Sequence, residues 1–115
     1  MGQKDYRQYR DGFFEGAAKL GEKVPAVMQA FGQLHQASVA EGALSVKQKE
    51  LIAVGIAVAI RCDTCIAVHV HDALKAGATP EEIAETVGVA IAMGGGPAAA
   101  FGVAAMRAVE AFQQG

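Results

Sequence analysis

The chain has 115 residues, a formal charge of −2 at pH 7, and 52% hydrophobic but only 6% aromatic residues. That length suits one domain spanning residues 1–115 with a sizeable buried core, and the near-neutral balance leaves no basic stripe for nucleic acid or an anionic membrane surface. The opening segment MGQKDYRQYRDG is charged throughout and has no apolar core of the secretory kind, so the expected location is cytoplasmic. In a reducing cytosol two closely spaced cysteines serve catalysis, redox exchange or metal binding rather than structural cross-linking.

Taken in order, Tyr6, Tyr9, Phe13, Ala17 and Leu20 recur at helical spacing and predict a first helix from Asp5 to about Leu20. Pro25 suits the first turn of a second, where its missing N–H has no helical partner. That helix carries Val27, Met28, Phe31, Leu34 and His35, fades at Gly42, and places His35 near its apolar stripe as a packing residue. Ser45 and Gln48 form a capping box for a third helix from Val46 to about Ile60. Asp63 or Thr64 can cap a fourth, which ends at Gly77. Thr79, Pro80 and Glu82 combine a cap, a first-turn proline and a capping-box carboxylate, starting a fifth helix that runs to about Met93. After Gly94–Pro97 a sixth runs from Ala98 to about Phe112. With no sustained alternation of β-branched residues, the fold class is all-α with about six helices.

Val87 to Met106 carries no charge over twenty residues, which meets the length of a membrane helix. The central GGGP would break such a span, and its Ala- and Gly-rich flanks have modest transfer energies into lipid. The segment is better read as two helices with almost no polar face, buried against other copies of the chain, so a homo-oligomer is expected. GGGP also lacks the preceding strand and glycine spacing of a phosphate loop.

Chemistry concentrates in ELIAVGIAVAIRCDTCIAVH, from Glu50 to His69, which holds both cysteines, Cys62 and Cys65. Only a thiolate attacks a peroxide or a disulfide, and a helix N-terminus or a neighbouring base favours that form. His69 lies four residues after Cys65 on the same helical face, within reach of its proton. A straight helix from Glu50 through Cys62 would hold the two roughly 18 Å apart. A reversal near Arg61 to Asp63 would instead make the third and fourth helices antiparallel neighbours and bring Glu50 to the level of His69. Glu50 is then either the group that orients the imidazole or a solvated first-turn carboxylate.

Glu50, the run Cys62-Asp63-Thr64-Cys65, and His69 resemble the active-site signature of the alkylhydroperoxidase D-like branch of the carboxymuconolactone decarboxylase family. The similarity extends over Gly42 to Pro97. It implies an all-helical fold assembled as trimers or hexamers, and a CxxC pair that reduces a peroxide or disulfide substrate at the expense of a thiol donor protein or dithiol. On that resemblance Cys65 is the attacking and partner-linking thiol, Cys62 its resolving partner and proton donor, and His69 with Glu50 the proton relay. No cofactor or metal enters this reading. Position at the helix terminus alone favours Cys62 as nucleophile, whereas sharing a face with His69 favours Cys65.

Three other readings stand beside it. The family name points to lactone decarboxylation through His69 or His35, which leaves the CxxC without a role. A structural zinc could take Cys62, Cys65, His69 and His71, although His71 lies about 200° around the helix from His69. A non-enzymatic oligomer could use the thiols to sense oxidants.

Overall fold

The structure, a computed structural model, describes residues 5–113 as six helices: α1 Tyr6–Lys23, α2 Pro25–Val39, α3 Val46–Ala59, α4 Asp63–Lys75, α5 Pro80–Gly94 and α6 Gly96–Gln113. No strand occurs among the described residues. Both expected capping boxes form: Ser45 Oγ accepts from the Gln48 amide at 3.1 Å and Thr79 Oγ1 from the Glu82 amide at 3.1 Å, each with the reciprocal side-chain bond. The Thr79 amide, and then Lys47 at 3.0 Å, hold the exposed Glu82 carboxyl below its ordinary range and tie the starts of α3 and α5 together.

Boundaries differ from the sequence expectation at several places, and α2, expected to fade at Gly42, already ends at Val39. Gly21 does not end α1, because one glycine costs a helix only about 1 kcal/mol. The break falls at Val24, pushed out of helical geometry by the proline that follows. At the GGGP segment only Gly95 leaves the helix, with φ 77° and ψ −158°, a conformation open to glycine. Pro97 then sits in the first turn of α6, where it breaks no hydrogen bond. The cap of α4 is neither Asp63 nor Thr64 but Cys62, whose Sγ accepts from the Cys65 amide at 3.2 Å.

Ile66, Ile83, Val54, Val58 and Val70 are fully buried and join α3, α4 and α5 into one core, completed by the alanines of α6. Fully burying a side chain such as Ile66 contributes about 1.5–3 kcal/mol. Small residues set how closely the helices approach. A Cβ built on Gly102 would lie 2.5 Å from Val87 Cγ1, so α6 rests directly on α5 there. Gly102→Ala is therefore expected to cost about 1–3 kcal/mol by overpacking. Gly12→Ala, on exposed α1 with nothing within 4 Å of the new methyl, should gain about 0.5–1 kcal/mol. Urea midpoints of the two variants test this contrast.

Tyr6, 2% exposed, fixes α1 to the start of α4 by donating its hydroxyl to Asp63 Oδ1 at 2.7 Å. Burial, and then the bond to Asp63, push its phenol above the ordinary tyrosine range. A raised folded-state value favours the protonated form, so this stabilisation is whole below about pH 10 and is lost as the pH rises beyond it. Tyr6→Phe should lower stability by about 1–2 kcal/mol at neutral pH. The gap to wild type should shrink in denaturant titrations carried above about pH 10.

The outer surface is less well covered. α2 buries none of its residues, and Val27, Phe31 and Leu34 are each more than half exposed. Between α3 and α5 an apolar groove of about 390 Å³ is lined by Ile52, Ile56, Val89 and Met93 among others. No helix of the described residues is long and apolar enough to cross a membrane.

Candidate active site

The chain reverses between α3 and α4 through Ile60, Arg61 and Cys62. Arg61 takes the left-handed conformation at φ 62°, and the Cys62 amide donates to the Ala57 carbonyl at 3.1 Å. This turn folds α4 back along α3. It brings Glu50 Oε1 to 2.8 Å from His69 Nδ1. Glu50 is 3% exposed, so it is not a solvated first-turn charge. Because an ionised carboxylate only accepts, an ionised Glu50 would select the tautomer of His69 with the proton on Nδ1.

Cys62 and Cys65 are joined as a disulfide across the first turn of α4, with their Cα atoms 5.2 Å apart. In this state the sulfurs are bonded to each other and offer no thiolate pair to zinc. His71, the fourth member of the zinc reading, turns away as its helical angle requires. It places Nδ1 2.9 Å from Asp72 Oδ1 and meets the edge of Phe112 at 5.3 Å.

Cys65 and His69 open together onto a cavity of about 350 Å³. Its walls come from α1 and α2 as well as α4: Phe13, Phe14, Met28 and Phe31 form an apolar side, and Thr64 and Asp72 stand on the polar side. Cys65 is among the lining residues and Cys62 is not. His35 also lines it, its ring centroid 5.5 Å from that of His69.

Asp72 and the aromatic wall escaped the sequence reading. Asp72 carried a usable signal, since it lies three residues after His69 and seven after Cys65 on one helical face. Phe13, Phe14 and Phe31 carried none, because apolar residues at helical spacing read as core.

An all-helical chain with a CxxC pair at a helix start, and a carboxylate-held histidine beside it, is one class of protein. That class is the Carboxymuconolactone decarboxylase family, which residues 25–111 match and to which this chain belongs. Its CxxC pair and helical fold agree with the alkylhydroperoxidase D-like members. A crystal structure of an apo carboxymuconolactone decarboxylase family protein from Legionella pneumophila superposes with a TM-score of 0.91 at 38% identity, covering 96% of this chain and 98% of that one. An uncharacterized protein of Cupriavidus necator is 44% identical over 82 residues, 71% of this chain and 73% of its own length. The uncharacterized protein 4 in the cox locus of Paracoccus denitrificans is 40% identical over 87 residues, 73% of this chain and 78% of its own length.

Proposed function

We propose that this chain is a thiol-dependent peroxidase or disulfide reductase in which Cys65 is the attacking thiol. The observation that carries this reading is the joint placement of Cys65 and His69 on one cavity, with His69 held by buried Glu50. In the reduced protein, His69 Nε2 takes the Cys65 proton and Glu50 stabilises the resulting imidazolium. The Cys65 thiolate attacks the terminal oxygen of a hydroperoxide. The O–O bond breaks, sulfur is oxidised to a sulfenic acid, and the leaving alkoxide takes the proton from His69 to depart as an alcohol. The Cys62 thiol then attacks the Cys65 sulfur, releasing water and closing the disulfide. A dithiol donor restores both thiols by exchange, taking the disulfide onto itself.

The first turn of α4 supports this chemistry independently of the relay. Unpaired amides at a helix start favour negative charge, and the Cys65 amide donates to Cys62 Sγ, which favours the thiolate of Cys62 in its role as the resolving thiol. The exposed apolar residues of α2 and of the α3–α5 groove support assembly with further copies of the chain, as a trimer or hexamer. The lyase reading keeps His69 and His35 in one cavity but gives the disulfide pair no task.

The experiment is hydroperoxide-dependent oxidation of a dithiol by the reduced protein, run beside Cys62→Ser, Cys65→Ser and His69→Ala. Turnover that needs both cysteines and falls strongly without His69 supports the proposal. Rates equal to wild type in Cys65→Ser and His69→Ala would remove it.

A further inference from the structure

Behind the relay, His35 from α2, Glu50 from α3 and Asp72 from α4 each present one ligand atom, and the three atoms lie within 4.8 Å of one another. We propose that these residues form a binding site for a first-row divalent cation, and that the cation and the thiol chemistry compete for Glu50. The site itself is independent of the redox proposal; the competition rests on it.

Charge is the first reason. Glu50 is 3% exposed and Asp72 only partly exposed, so two carboxylates face each other where water screens them poorly. Among the described residues, no lysine or arginine lines the adjoining cavity. Each carboxylate meets one imidazole through Nδ1, Glu50 that of His69 and Asp72 that of His71. A dication would neutralise both carboxylates.

Ligand chemistry is the second. One imidazole nitrogen with two carboxylate oxygens is a mixed set that suits zinc, manganese or iron in the divalent state better than calcium or magnesium, which favour oxygen alone. The three residues come from three helices, and Glu50 and Asp72 are already held by His69 and His71. Such outer partners orient ligands at metal sites. The separations are wider than in a closed coordination shell, so an ion would draw the side chains inward, chiefly His35 on the thinly packed α2.

Competition follows from geometry. Glu50 Oε1 holds His69 Nδ1, and the same carboxylate would be shared with the cation. An occupied site leaves less negative charge to stabilise the imidazolium, so thiol oxidation slows.

The test is calorimetric titration of Zn²⁺ into the disulfide form of the chain, in which neither sulfur is free to bind. Expected is one ion per chain, with affinity lowered at least about tenfold in both His35→Ala and Asp72→Asn. Circular dichroism of each variant confirms that the helices persist. A Co²⁺ spectrum of the wild-type disulfide form reads the ligands without any substitution, and should show nitrogen and oxygen ligation. No saturable binding by the wild type, or binding unchanged in both variants, would overturn the site. Binding as expected with no slowing of peroxide turnover would overturn the competition alone.

Discussion

Reduced Cys65→Ser protein should turn over no hydroperoxide, whereas reduced Cys62→Ser protein should consume about one equivalent and stop. The asymmetry follows from the cavity. Cys65 opens onto it together with His69, while Cys62 caps α4 outside the lining. With Cys65 gone, the remaining thiol lies outside the lining of the cavity onto which His69 opens. With Cys62 gone, Cys65 still reaches its sulfenic acid but has no partner to release water and close the ring. Single-turnover peroxide consumption, with trapping of the sulfenic acid by a carbon nucleophile, reads both outcomes. The loss in Cys65→Ser should exceed about 10³-fold, since the covalent path is removed entirely.

Glu50→Gln should lower kcat/KM for peroxide about 10²-fold while leaving the fold intact. The amide oxygen can still accept from His69 Nδ1, so the ring keeps its orientation and the buried group keeps a partner. What disappears is the negative charge that stabilises the imidazolium once the Cys65 proton has arrived. Glu50→Leu should differ in kind. It leaves His69 Nδ1 without its partner and should cost stability as well, about 1–3 kcal/mol. Thermal unfolding measured beside the kinetics separates the electrostatic loss from the structural one.

Much of this site was legible in the sequence because its parts lie on one helix. Cys62, Cys65 and His69 share α4 and a spacing set by the helical repeat, so their proximity needed no tertiary information. Glu50 needed one further inference, a reversal near Arg61, and the left-handed Arg61 provides it. The capping boxes of α3 and α5 were equally readable, being local hydrogen-bonding patterns. The role of α1 and α2 was not readable. Phe13, Phe14, Phe31 and His35 reach the cavity only because Tyr6 ties α1 to Asp63 and α2 lies over the opening. A hydrogen bond between positions 57 residues apart leaves no trace in local periodicity. Cys62 as the cap of α4 was missed for a simpler reason: sulfur is a weak acceptor and ranks low among capping residues.

In the proposed mechanism Glu50 and His69 act on Cys65 as one relay across the α3–α4 turn. A double-mutant cycle tests it most directly, with kcat/KM for hydroperoxide measured in wild type, Glu50→Gln, His69→Ala and the double variant. If the carboxylate works only through the imidazole, the double variant should be no slower than His69→Ala alone. Losses that multiply in the double variant would show two independent contributions and contradict the relay.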